Sequence, residues 1–510
     1  MMPLHKTYPP CCPWKELALL FFTTAMRNLL LIISFFIPFF AFAQDAKVDE
    51  TVSVNKIKSH IYFLASDALR GRDTGSPELK IAAEYIVSRF REYGVKPIDS
   101  TGYFQKVPFK KITAPIGGIV STKDLSLAVG DQALLMQGGN GDWEADMVFV
   151  GYGDEKSLKK AKLSGKIVVA ICGAKDEKNP QKWLSISREK RKRVQEMGGL
   201  ALVELYNSNQ IPWLLLVNYL NNDKVILDDG EGNDEFLSLW INDANNERAD
   251  SFKKGKLAIK VEGANTTRFQ SQNVVGYIEG TDPDLKDEFI MYSAHYDHVG
   301  VGLADDKGDT IYNGARDNAV GTVTVLSMAE NLAKFPTKRS ALFVLFTGEE
   351  KGLLGSQYYA DNPMLPLKDV VYCFNSDGAG YNDTSLVTIF GLNRTTGAEE
   401  IKKGCKAYGL KAIDDPAPEQ NLFDRSDNVS FARKGVPAPT FSLGFTAFDE
   451  KIGEYYHRPA DDPSSLDYQY LYNFFRAYVY TGRLIADRAE RPFWTEGDKY
   501  YEAGIKLYQE

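Results

Sequence analysis

The spacing of hydrophobic positions changes along the chain, and each change predicts a different kind of element. Near the start, Ser76-Pro77 offers a cap and a first helical residue, Leu79, Ala83, Ile86, Phe90 and Tyr93 recur every three or four residues, and Gly94 offers a stop. That pattern predicts a helix with one buried face. From about 115 to 262 short apolar runs (147–150, 167–171, 200–205) alternate with Gly-rich turns and a charged segment at 188–193. This texture reads as a β-rich α+β insertion, and no cluster of metal ligands or nucleophiles stands out in it. Beyond about 273, buried-strand runs at 289–294, 341–346, 370–374 and 440–443 alternate with helical stretches, clearest at 320–334 and 471–486. Such alternation predicts an α/β fold, a mostly parallel, doubly wound mixed sheet flanked by helices.

These breaks predict a discontinuous main domain, 44–114 plus 268–510, interrupted by an inserted domain at 115–267. A chain of 510 residues is in any case too long for one ordinary core. At the N-terminus, Arg27 precedes a nearly unbroken apolar run at 29–43 that ends Ala41-Phe42-Ala43 before Gln44-Asp45. A positive flank, an apolar centre and a small-x-small end make 1–43 a cleavable export signal. The run is short for a bilayer span, which needs about 20 apolar residues. The mature chain is therefore expected to be exported, periplasmic or secreted, without membrane attachment. Met26 offers an alternative start to Met1.

Hydrophobic residues at 44% and charged residues at 25% describe a folded rather than a disordered chain. With 60 Lys and Arg against 68 Asp and Glu, and no long basic run, no nucleic-acid surface is expected. Of the five cysteines, Cys11 and Cys12 precede the cleavage point, and Cys172 and Cys373 lie in apolar runs as buried thiols. Neither a disulfide framework nor a Cys-based zinc motif results.

The chemistry-bearing residues gather where strands end. His295-Tyr296-Asp297-His298 follows the first strand of the main sheet, Thr347-Gly348-Glu349-Glu350 the second, and Asn375-Ser376-Asp377-Gly378 the third. Asn313-Gly314-Ala315-Arg316-Asp317-Asn318 directly precedes a helix, and Tyr455-Tyr456-His457-Arg458 follows the last strands. Ligand crevices of doubly wound sheets lie beyond the carboxyl ends of the strands. Taken singly, each group has an ordinary reading: a core histidine, a solvated Glu-Glu turn, an Asp helix cap. Their convergence does not, because three of the chain's five histidines fall in these segments. Imidazole and carboxylate without thiolate suit catalytic zinc, with cobalt or manganese as substitutes. Two histidines and three carboxylates are enough for two Zn2+ ions if one carboxylate bridges them.

These segments resemble the zinc exopeptidase family of bacterial leucyl aminopeptidases, glutamate carboxypeptidase and glutaminyl cyclase, the twenty-eighth metallopeptidase family. The resemblance rests on Ser293-Ala294-His295-Tyr296-Asp297-His298-Val299-Gly300, Gly314-Ala315-Arg316-Asp317-Asn318, the run from Phe346 through Glu349-Glu350 to Ser356, Asn375-Ser376-Asp377, and Tyr456-His457. It implies that His295 and Asp377 bind one zinc, Glu350 and His457 the other, and that Asp317 bridges. It further implies Asp297 behind the far nitrogen of His295, Glu349 as general base, and a cis peptide after Asp317. The implied activity is removal of N-terminal residues from peptides with a free amino end, by a hydroxide bridging two zinc ions. Two alternatives share the fold: a glutaminyl cyclase-like acyltransferase and a glutamate carboxypeptidase-like exopeptidase, the latter needing a cation such as Arg316, Arg425 or Arg458. Phe423, Phe445, Phe448, Tyr455 and Tyr456 are candidates for an apolar specificity wall. The insertion resembles a protease-associated domain through Val148-Phe149-Val150-Gly151-Tyr152-Gly153, the run 163–169 and Gly198-Gly199. One departure is Ser426-Asp427-Asn428, where relatives often carry Ser-Asp-His.

Overall fold

Strand residues of the main sheet alternate between two apolar cores. Ile290, Tyr292 and Ala294 enter one core with Phe343 and Leu345, whereas Met291, Leu342, Val344 and Phe346 enter the other. A sheet buried on both faces explains why these strands read as continuous apolar runs. The computed structural model describes residues 46–177, 179–228, 230 and 236–509; the segment 1–43, expected from the sequence to be an export signal, lies outside them. The chain divides into two compact units, one made of Asn273–Glu510 with the described residues up to Gln105, the other of Lys106–Gln272.

In the first unit we label seven strands β1 (Thr266–Ile278, of which 273–278 belong here), β2 (Phe289–His295), β3 (Ser340–Phe346), β4 (Val370–Ser376), β5 (Leu386–Phe390), β6 (Lys411–Asp414) and β7 (Thr440–Leu443). Their order in the sheet is β6-β5-β7-β4-β2-β3-β1. β2 runs parallel to β3 and β4, β4 to β7, and β5 to β6, while β1 and the β5–β7 pair are antiparallel. The fold is thus mixed α/β and mostly parallel.

Helices α1 (Val54–Leu64), α2 (Pro77–Tyr93), α3 (Gly321–Lys334), α4 (Ala398–Ala407) and α5 (Tyr468–Ala486) pack on the first core. Helix α2 begins and ends as its sequence predicts. The Ser76 hydroxyl accepts the Leu79 N–H at 3.0 Å, and Gly94, at φ 83°, takes the left-handed turn that closes it. Helix α5 starts three residues before the predicted 471, because Asp467 caps it by accepting the N–H groups of Gln469 and Tyr470. In the second core Tyr359, Phe431, Val436 and Trp494 pack on the opposite face of the sheet.

The Lys106–Gln272 unit has its own eight-stranded sheet. Gly141–Phe149, Ile167–Ile171, Ala201–Tyr206 and Leu237–Asn242 run parallel through its centre, with antiparallel strands Lys256–Glu262, Gly117–Ser121, Ser126–Ala128 and Ala133–Gln137 outside them. The charged segment at 188–193 lies in the helix Trp183–Glu196. Its Lys190 turns inward to a buried ion pair with Glu204 at 2.7 Å, completed by the carbonyls of Ile171 and Gly173. Cys172 and Cys373 are buried free thiols. Among the described residues no helix is long and apolar enough to cross a membrane.

Candidate metal centre

Parallel pairing brings three strand ends to one rim: His295 of β2 stands level with Phe346 of β3, and Ser293 with Asn375 of β4. The residues just beyond those ends, Glu349, Glu350 and Asp377, join His295 around one cavity. Asp317 reaches the cavity from the turn Ala315–Val320 that leads into α3, and His457 from the turn after the short helix Glu450–Gly453.

Several interactions hold these segments in place. Arg72, buried, donates to the carbonyls of Leu64, Tyr296, Asn313 and Gly314, and so ties the His295 loop to the Asp317 loop. Asp461 accepts the N–H groups of Arg316 and Asp317 at 2.9 and 3.2 Å, and its carboxylate pairs with the Arg316 guanidinium at 3.0 Å. The Asp317–Asn318 peptide is cis, and Asn318 fixes the turn by donating to the Ser376 carbonyl at 3.0 Å. Gly314 is required: at φ 61° it passes so close to His298 that a Cβ would sit 2.6 Å from the imidazole.

Asp317 is central. Its Oδ1 lies 3.3 Å from Nε2 of His295, and its Oδ2 lies 3.2 Å from Nε2 of His457. Around the first oxygen, Asp377 Oδ1 stands 3.3 Å from the same His295 nitrogen. Around the second, Glu350 Oε2 stands 3.2 Å from the His457 nitrogen. The structure thus groups His295, Asp317 and Asp377 on one side and Asp317, Glu350, His457 and His298 on the other.

Two further contacts were not assigned from the sequence. His298 Nδ1 lies 2.7 Å from Glu350 Oε1, and the Ser426 hydroxyl donates to Asp377 Oδ2 at 2.5 Å. A third differs from expectation. The Asp297 carboxylate is 3.8 Å from His295 Nδ1, while the Asp297 backbone carbonyl, at 3.1 Å, accepts the proton from that nitrogen. The carboxylate is taken up elsewhere, accepting from the Thr74 hydroxyl at 2.8 Å and the Glu349 N–H at 3.2 Å. Asp297 therefore fixes the His295 tautomer through its main chain and the Glu349 turn through its side chain.

The electrostatics favour a cation. Asp297, Asp317, Glu349, Glu350, Asp377 and Asp427 crowd against His295, His298 and His457. Burial, with the charges of Asp377 and Glu350 added, pushes the Glu349 carboxyl well above its usual range. Burial, Asp377 and Asp297 raise Asp427 to about 7. Burial opposes a charged His457, yet Asp317 and Glu350 overcome it and lift its pKa to about 10. A buried cluster with this surplus of negative charge is relieved by protons or by metal ions. The spacing fits metal. Ligand atoms about 2.05 Å from a tetrahedral zinc are separated by about 3.3 Å, and the donor pairs here stand 3.2–3.3 Å apart.

Fold and donor set define a class: an α/β protein with an imidazole–carboxylate metal cradle at the carboxyl edge of its sheet. Residues 273–481 match the model of Peptidase family M28. That segment carries all five cradle residues. The vacuolar membrane protease of Lachancea thermotolerans (strain ATCC 56472 / CBS 6340 / NRRL Y-8284) is 36% identical over 220 residues, 43% of this chain and 21% of that protein. Aminopeptidase YwaD of Bacillus subtilis (strain 168) is 28% identical over 197 residues, 38% of this chain and 40% of that protein. The chain thus spans between a fifth and two fifths of the length of these curated relatives. Among solved structures, an aminopeptidase from Aneurinibacillus sp. strain AM-1 shares the fold, with a TM-score of 0.51 at 22% identity, covering 88% of this chain and 97% of that one.

Proposed function

We propose that the protein is a two-zinc aminopeptidase that removes N-terminal residues from peptides. The observation that carries the reading is Asp317, whose two carboxylate oxygens face different histidines, His295 and His457, each beside a further carboxylate. His295 and Asp377 would hold one zinc, Glu350 and His457 the second, with Asp317 shared. Bound there, the pair supplies an acidified water and Lewis-acid polarisation of the scissile carbonyl.

Glu349 does the proton work. Its carboxyl lines the same cavity, and its backbone is pinned by Asp297, so it takes a proton from the attacking water and returns it to the leaving nitrogen. Adjacent residues diverge at a turn, which lets Glu350 act as ligand while Glu349 acts as base. Surplus carboxylate in the cavity suits the ammonium of a free amino end, and the name of the relative Aminopeptidase YwaD agrees with that choice.

The Lys106–Gln272 unit we read as a domain of the protease-associated type, and the apolar run at 29–43 as an export signal. The test is a panel of amino-acid p-nitroanilides with free and N-acetylated amino groups, with and without chelator. Hydrolysis of free amino ends only, abolished by chelation, supports the reading. Hydrolysis of N-blocked substrates, or formation of pyroglutamate from N-terminal glutamine instead of hydrolysis, contradicts it.

A further inference from the structure

We infer that Arg425 binds a substrate carboxylate, which makes the C-terminal carboxylate of di- and tripeptides part of what this site selects. The inference rests on the aminopeptidase reading and names its substrate class. Three arginines lie close in sequence to the site motifs, Arg316 beside Asp317 and Arg425 and Arg458 near the last ones, and the structure separates them. Arg316 is buried, paired with Asp461, bonded to Ser465 and stacked on the Tyr455 ring at 3.7 Å. Arg458 is exposed and is not part of the cavity that holds the cradle. Arg425 is exposed and lines that cavity together with His295, Asp317 and Glu349.

The Arg425 guanidinium is uncommitted. Among the described residues it forms no ion pair, and its hydrogen bond is a long one, 3.4 Å to the Tyr456 hydroxyl. Its neighbour Asp424 is taken up by Lys499 at 2.9 Å, while Asp427, two residues on, is buried and forms no ion pair with Arg425 among the described residues. A guanidinium open on one side of a cavity presents a planar fork of donors matched to carboxylate.

Position favours a terminal carboxylate. The Tyr456 ring stacks on His457 at 4.0 Å, and its far end meets Arg425. The guanidinium therefore stands about one aromatic ring plus a hydrogen bond away from a cradle residue, a reach on the order of 10 Å. Extended chain advances about 3.3–3.6 Å per residue, so two or three residues span the gap. Phe390, Leu422, Phe445, Phe448 and Ile452 give the wall an apolar stretch that suits an uncharged side chain.

The test is calorimetric binding to the zinc-loaded full-length chain carrying E349Q, which keeps the pocket and stops turnover. The probes are Leu-Leu and Leu-Gly-Leu, their C-terminal amides, and Leu-Glu-amide. We expect the free-carboxylate peptides to bind about 10- to 100-fold more tightly than their amides, the range of a charge-assisted pair. That gain should vanish in E349Q/R425Q and return in part in E349Q/R425K. Recovery of the gain by Leu-Glu-amide would show that an acidic side chain also reaches Arg425. Equal binding of carboxylates and amides, or a gain that survives R425Q in a chain with unchanged thermal unfolding, would overturn the inference. Hydrolysis of leucine p-nitroanilide by the wild type tests the aminopeptidase reading separately; its absence would count against that reading while the binding data still report on Arg425.

Discussion

His298 presents Nδ1 to Oε1 of Glu350 at 2.7 Å, on the side of that carboxylate opposite the oxygen facing His457. Because a carboxylate oxygen only accepts, the proton sits on Nδ1, and the imidazole fixes the angle at which Glu350 meets a cation. Partners behind metal ligands typically affect metal affinity 10- to 100-fold. His298→Ala should therefore weaken zinc binding on the Glu350–His457 side by about that factor, read by competition with a chromophoric chelator. Unchanged affinity would show that His298 only fills space beneath Gly314.

Ser426 does the same for the other side. Its hydroxyl donates to Asp377 and also accepts from the Asn375 amide at 2.9 Å. Ser426→Ala should lower zinc affinity about 10-fold at the His295–Asp377 side and leave the Glu350–His457 side close to wild type. Equal losses at both sides would argue for a general disturbance of the loop.

Glu349→Gln separates binding from chemistry. The amide cannot carry the proton, so kcat should fall by about 10²–10⁴, while zinc content measured by plasma mass spectrometry stays at the wild-type value. Wild-type turnover in this variant would remove Glu349 from the mechanism.

Acid sensitivity should have a component remote from the cradle. Burial, aided by Arg89 and Lys56, lowers the His60 pKa to about 4, and its Nδ1 is bonded to the Tyr85 hydroxyl at 2.7 Å. The folded state thus disfavours the charged imidazole, whose ordinary pKa is near 6.5. The unfolded chain binds more protons between those values, so stability is full above about 6.5 and declines as pH falls toward 4, by up to about 3 kcal/mol. His60→Gln should flatten this part of the stability curve in urea denaturation. An unchanged slope between pH 4 and 6.5 would contradict the assignment.

Most of the first unit was legible in the sequence because its strands are buried on both faces. The run at 440–443 is the strand β7 itself, and the runs at 289–294, 341–346 and 370–374 fall inside β2, β3 and β4. Strands β5 and β6 were less visible. β5 is a short segment whose pairing with β7 is antiparallel, and β6 is an edge strand of four residues with no fully buried position.

The five cradle residues could be picked out because histidine is scarce and strand ends collect ligands. The groups that orient them could not. Ser426 meets Asp377 across 49 residues and Asp461 meets Arg316 across 145, and nothing in a polar loop announces such a partner. His298 was visible in its segment, but its role depends on Gly314 allowing the next loop to close over it.

The most direct test of the account is a zinc-edge anomalous diffraction map of the full-length protein crystallised with zinc. Two peaks about 3.5–4 Å apart are predicted, each about 2.0–2.2 Å from a different oxygen of Asp317. One peak lies beside His295 and Asp377, the other beside Glu350 and His457. A single peak, or two peaks that do not share Asp317, would contradict it.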